Sequence, residues 1–147
     1  MTKRKHRMHA AGTATPGKYK VFLSHATTDR WLAKTLCEKI EAAGAETFRD
    51  DRDIGSGDDI SETIRSRLVR SDELVILLTP DSVHRPWVQF EAGAFWGRRS
   101  GARIVAVLCH VESDAIPDMI KSKKAVSINA FDHYLTELRR RVAALRR

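Results

Sequence analysis

Glu91 is the acid around which chemistry could be built, because of what stands four residues to either side of it. It lies in Arg85-Pro86-Trp87-Val88-Gln89-Phe90-Glu91-Ala92-Gly93-Ala94-Phe95-Trp96. Proline suits the first position of a helix, where its missing N–H would have no partner anyway. Arg98 and Arg99 suit the C-terminal end, where carbonyl dipoles attract cations. Residues four apart share a helix face, so Trp87, Glu91 and Phe95 form one row with a single carboxylate between two rings. A merely solvated Glu more often has a base four residues on. Gly93 costs a helix about 1 kcal/mol against Ala, and close approach of another backbone or of a ligand would account for it. Two readings stand: a carboxylate held for chemistry, or a helix that buries an aromatic face and leaves Glu91 at its rim bonded to a loop N–H. Residue chemistry by itself leans to the second.

The other reactive side chains are more ordinary. Ser24 and His25 end an apolar run, and a His there suits a loop carbonyl as well as it suits a substrate. Arg49 can hold a phosphate or pair with Asp50, Asp51 or Asp53. Trp87 can stack on a ligand ring or belong to the core. His84, His110 and His133 lack the spacing of metal ligands, and no metal is expected. Neither GxxxxGK[ST] nor GxGxxG occurs, which removes the standard phosphate-cradling loops.

Strands alternating with helices are expected to position these groups. Lys18 to Ser24 reads as a first, buried strand. Thr27-Thr28-Asp29 offers helix caps ahead of Trp31, Leu32, Leu36 and Ile40, read as one face, with Gly44 closing that helix. Ala45 to Arg49 is a short second strand, and Asp50 to Gly57 (DDRDIGSG) a loop. Asp59 and Glu62 resemble a capping box for a second helix carrying Ile60, Ile64 and Leu68. Glu73 to Thr79 and Arg103 to Cys109 are continuous apolar runs, the pattern of strands covered on both sides. Ala125 to Ile128 is a weak fifth strand. Leu135, Leu138, Val142 and Leu145 mark a last amphipathic helix. This alternation implies an α/β, flavodoxin-like three-layer fold: a five-stranded parallel sheet with helices on both faces. Ligands of such sheets sit beyond the carboxyl ends of the strands, which points to Ser24, His25, Arg49, Asp50 and Thr79.

The chain has 147 residues, room for one domain with a real core, and a net charge of +7. That charge belongs to the ends. Residues 1–20 carry +6 and residues 139–147 carry +5, while residues 21–138 carry −4. Residues 1–17 read as a disordered basic leader and 18–147 as the folded domain. A basic arm can touch nucleic acid or acidic lipid non-specifically. No aromatic residue interleaves the N-terminal run, so no specific nucleic-acid partner is expected. No apolar run approaches the ~20 residues of a membrane span. Cys37 and Cys109 lack CxxC spacing and lie on apolar stretches, which suggests buried free thiols and a cytoplasmic setting.

Four motifs in order carry a family likeness: Val21-Phe22-Leu23-Ser24-His25, Asp50 to Gly57, Thr79-Pro80-Asp81-Ser82, and Trp87 with Glu91. Together they resemble the Toll/interleukin-1 receptor (TIR) domain, and the FEAGA form around Glu91 is similar to its bacterial branch. The likeness covers nearly the whole folded body. The second loop departs from the family pattern, with Ser56 where a proline usually precedes the glycine. Arg85-Pro86 also replaces the Ser that often precedes the Trp.

The resemblance implies self-association and, as in many members, cleavage of NAD+ at the nicotinamide–ribose bond in signalling or defence. The products would be ADP-ribose or a cyclic ADP-ribose form, with NAD+ as substrate and no cofactor. It makes Glu91, four residues after Trp87, the catalytic carboxylate. Ser24, His25, Arg49, Asp50 and Trp87 become substrate-binding candidates. The expected partners are NAD+ and either other TIR domains or a second copy of this chain. Two rival functions remain: a non-catalytic TIR adaptor that docks another TIR domain, and a nucleoside deoxyribosyltransferase-like enzyme. A response-regulator receiver would want an acidic cluster where this chain has Ser24-His25-Ala26.

Overall fold

A computed structural model describes residues 17–49, 62–84, 93, 95, 103–116 and 124–145. Its strands are β1 (Lys20–Ser24), β2 (Glu46–Arg49), β3 (Glu73–Leu78), β4 (Arg103–Leu108) and β5 (Lys124–Ser127). Its helices are α1 (Arg30–Ala42), α2 (Glu62–Val69) and α3 (Phe131–Leu145). The sheet order is β2-β1-β3-β4-β5 and every pairing is parallel. This is the flavodoxin-like order expected from the alternation of elements.

The period of two along each strand sorts the core into two layers. Val21, Leu23, Val75, Leu77, Val105 and Val107 pack with Leu36, Cys37 and Ile40 of α1 and with Tyr134, Leu135 and Leu138 of α3. The alternate residues Phe22, Leu74, Ile76, Leu78, Ile104 and Ala106 pack with Ile64 and Leu68 of α2 and with Phe95. β3, at the centre, is buried at all six positions. β2 and β5 are the edge strands, and β5 exposes Lys124, Ala125 and Ser127.

Gly44 ends α1 as expected, with φ of 105°, a conformation that glycine adopts without a Cβ clash. Its N–H reaches the Glu41 carbonyl, and the Ala45 N–H reaches that of Ile40. This is the Schellman closure that satisfies the last carbonyls of a helix.

Several expectations are corrected. Thr27–Asp29 forms a 3-10 turn, and neither Ala26 nor Asp29 makes a side-chain cap bond at the helix starts. Trp31 is 78% exposed and not on the buried face. At about 100° per residue it points roughly 140° away from Leu36, and Ala33 and Cys37 take the inward positions instead. Leu145 is likewise exposed, as the last residue of the described helix. Both cysteines are free, but only Cys37 is buried; Cys109 follows β4 and is partly open. The leader up to residue 16, the loop from Asp50 to Gly57 and the Asp59 capping box lie outside the described residues.

In sequence Glu73 is only the first residue of an apolar strand, yet it is fully buried. Its carboxylate accepts hydrogen bonds from the Tyr19 hydroxyl at 2.8 Å and from the Tyr134 hydroxyl. Arg141 approaches it with Nε at 3.1 Å and Nη2 at 3.3 Å. A buried carboxylate is tolerable only with such a full set of donors. The cluster ties the start of β1 and the start of β3 to α3, through Tyr134 and Arg141, toward the edge of the sheet opposite the expected ligand site.

Candidate functional site at the carboxyl edge of the sheet

In a sheet ordered 2-1-3-4-5 the chain leaves β1 toward one side and β3 toward the other, so a crevice opens between their carboxyl ends. Ser24 ends β1 beside Ile76, and Arg49 ends β2 beside Leu23. These strand ends therefore bring Ser24, His25 and Arg49 to one edge. Ser24 and His25 are buried, whereas Arg49 is partly exposed. The His25 Nδ1 lies 2.7 Å from the Ala26 carbonyl. A carbonyl only accepts, so Nδ1 carries a proton and the ring is held against its own loop. Asp50, Trp87 and Glu91 lie outside the described residues.

The loop after β3 is built from Thr79-Pro80-Asp81-Ser82. The buried Ser82 Oγ donates to the Leu77 carbonyl at 3.0 Å and accepts the Thr79 N–H at 3.0 Å. Ser82 and Val83 also return their N–H groups to the Thr79 carbonyl. The turn is thus closed by its own side chains, consistent with the short polar residues that make it.

Two side-chain bonds join this turn to the loop after β1. Thr79 Oγ1 donates to the Asp29 carboxylate at 2.7 Å, and Thr28 Oγ1 donates to that of Asp81 at 3.3 Å. Thr79 Oγ1 also accepts the Asp81 N–H at 3.2 Å. The crevice between β1 and β3 is therefore latched from both sides. In sequence Asp29 is only a candidate helix cap. No local signal marks its role, since its partner is fifty residues away.

At the end of β4, burial and then the Asp29 charge push the Cys109 thiol up, which disfavours the thiolate and argues against a cysteine nucleophile. His110, the next residue, has φ of 60°. That left-handed conformation is uncommon outside glycine and turns the chain as it leaves the sheet at this edge.

Phe95 of the Trp87–Glu91–Phe95 row is helical and fully buried with Phe22, Phe48 and Leu78. Its ring thus anchors its helix in the core, as one of the two sequence readings requires. Gly93 beside it is partly exposed. Among the described residues no group of three or more His, Cys, Asp or Glu could hold a metal ion, and no helix is long and apolar enough to cross a membrane.

Comparison with known proteins gives a consistent picture. The family model described as TIR domain matches residues 21–142. "NAD(+) hydrolase TirS" of Staphylococcus aureus is 28% identical over 93 residues, covering 62% of this chain and 33% of that protein. "2' cyclic ADP-D-ribose synthase AbTIR" of Acinetobacter baumannii is 22% identical over 133 residues, covering 88% of this chain and 49% of that protein. The chain therefore spans between a third and a half of the length of these relatives. Among solved structures, a metazoan TIR-STING receptor from C. gigas in complex with 2',3'-cGAMP superposes with a TM-score of 0.64 at 19% identity. That match covers 86% of this chain and 41% of the receptor, and it supports the fold.

Proposed function

The chain belongs to the TIR domain family, and from that premise we propose that it hydrolyses NAD+ at the nicotinamide–ribose bond when self-associated. The observation that carries this reading is the family match across residues 21–142, which contains the Trp87–Glu91 pair on the segment that follows the latched turn. The names of the two bacterial relatives support the same reaction class.

The chemistry suits a single carboxylate. Cleavage of an N-glycosidic bond to a pyridinium passes through an oxocarbenium-like sugar, as glycoside hydrolysis does. Glycosidases need a second carboxyl group to protonate their leaving group. Nicotinamide leaves a cationic bond as a neutral molecule, so no general acid is required. Glu91 would stabilise the developing cation, or attack it, in a site where few waters screen the charge. Water then gives ADP-ribose, and a group of the same nucleotide gives a cyclic form. Ser24, His25, Arg49, Asp50 and Trp87 would hold the rest of the dinucleotide, with Arg49 suited to a phosphate and Trp87 to a ring. NAD+ is the substrate, and no cofactor or metal is invoked. The setting is the cytoplasm, where free thiols such as Cys37 and Cys109 stay reduced.

The test offers NAD+ and deoxynucleosides separately to the purified chain and to Glu91→Gln, with circular dichroism matched between the two proteins. Nicotinamide release by the unaltered chain and none by the variant supports the reading. Turnover of deoxynucleosides without turnover of NAD+ identifies a deoxyribosyltransferase. Full activity in Glu91→Gln removes that residue from the mechanism.

A further inference from the structure

The fold brings the described parts of the two basic stretches, Lys18–Lys20 and Arg139–Arg141, to one place. Tyr19 and Arg141 are 122 positions apart, yet both bind the Glu73 carboxylate at the amino edge of the sheet. Lys18 and Lys20 flank Tyr19, and Arg139 and Arg140 precede Arg141. Arg70 follows α2 and Arg103 opens β4 at the same edge, the latter paired in register with Glu73. Five of these six cations are exposed, and Lys20 is partly so.

The acids nearby are mostly committed. Glu73 is buried beneath Arg141, and Glu137 pairs with Lys124 at 2.6 Å. Asp72 accepts the Lys20 backbone N–H. At the end of α1, Lys39 and Glu41 offset each other. Among the described residues the further counter-charge is Glu46 and Asp72, with Glu38 at the end of α1 and Glu137 also within reach of Arg103 and Arg141. The opposite edge sets Asp29 and Asp81 beside Arg30 and Arg49, so among the described residues the excess of positive charge lies at the amino edge.

We propose that this amino edge is a docking surface for the phosphate backbone of nucleic acid, read without regard to base sequence. The charge is dominated by arginine, whose planar fork matches phosphate oxygens. Neighbouring strands are about 4.8 Å apart, so the cations form a band and not a point. Among the described residues the edge offers no large exposed apolar side chain to insert into a bilayer except Leu145. The exposed Trp31, in the first turn of α1, stands at the other end of the sheet. A duplex, with one charge per ~1.7 Å of its axis, is the polyanion that best matches a dense, apolar-poor band. The inference stands apart from the proposed NAD+ chemistry.

The experiment is fluorescence anisotropy of a labelled random-sequence DNA duplex of about twenty base pairs, titrated with the full chain across 50–200 mM KCl. About five phosphate contacts would lower affinity by roughly 10²- to 10³-fold over that range, whatever the duplex sequence. Arg139→Glu with Arg140→Glu should cut the slope of log affinity against log salt by about two, at unchanged circular dichroism. Lys18→Glu with Lys20→Glu should do the same and serves if the first pair fails to fold. Absence of binding at 50 mM KCl overturns the proposal, as does binding that both pairs leave intact. Sedimentation with vesicles of 70% phosphatidylcholine and 30% phosphatidylglycerol, at a salt where the duplex is not bound, overturns it in favour of a membrane.

Discussion

Removing the guanidinium from Arg141 is the perturbation that most directly measures how the domain is clamped at its amino edge. Glu73 has no solvent exposure, and the Arg141 side chain keeps only 18%. Arg141→Met keeps most of the aliphatic stem but deletes the guanidinium that lies over the Tyr134 ring and both of its N–H contacts to the carboxylate. Two unit charges about 4 Å apart at an effective dielectric constant near 20 attract by about 4 kcal/mol. Stripping one partner from a buried pair costs about 3–5 kcal/mol, because the remaining charge is left without compensation. The residual exposure of Arg141 and the two tyrosine donors put the expected loss near the lower bound, about 3 kcal/mol. For a domain of this size that is roughly 6–12 °C in melting temperature. Urea denaturation followed by far-ultraviolet circular dichroism reads it, provided the m-value is unchanged. Adding Glu73→Gln to Arg141→Met should recover at least about 1 kcal/mol, since the amide oxygen accepts from one tyrosine, the amide NH2 donates to the other, and the orphan charge is gone. A loss below about 1 kcal/mol for Arg141→Met, or no recovery in the double variant, would refute this account of the clamp.

The same cluster predicts alkaline behaviour. Tyr19 and Tyr134 are the chain's only tyrosines, and burial, then the Glu73 charge, raises both above the ordinary phenol value. The unfolded chain therefore loses these protons first, so stability holds below about pH 10 and falls as pH rises further. Ultraviolet titration should show almost no phenolate in the native protein at about pH 11 and about nine-tenths ionisation once denatured; early ionisation of either tyrosine would contradict the burial. At the opposite edge, Thr79→Val deletes the donor to Asp29 and should cost about 1–2 kcal/mol by urea denaturation. An unchanged midpoint would mean that the two loops do not depend on this latch.

How far the sequence predicts the structure depends on the range of each interaction. The apolar runs Glu73–Thr79 and Arg103–Cys109 announce central strands because burial on both faces leaves an unbroken local signature. Gly44 announces a helix end because its conformation is a property of one residue. Ser24, His25 and Arg49 follow from topology, since strand ends in this fold share an edge. Glu73 and Asp29 do not announce themselves. Glu73 meets Tyr19, Tyr134 and Arg141 only after the sheet and α3 are assembled, and Asp29 meets Thr79 only across the crevice. An acid at the head of a strand or beside a helix start looks the same with or without such partners. Trp31 misled for a different reason: its hydrophobicity suggested the core, but its angle around α1 faces it outward. Helical angle outweighs residue type at a helix start.

The central claim is that Glu91 serves a site for NAD+ cleavage that becomes active when the domains associate. The most direct measurement is nicotinamide release from NAD+ by the purified chain over a wide range of protein concentration, beside Glu91→Gln at matched fold. The account predicts turnover that rises faster than linearly with concentration and disappears in the variant. Absence of turnover at every concentration, even with a crowding agent present, would contradict it and leave docking to another TIR domain as the function.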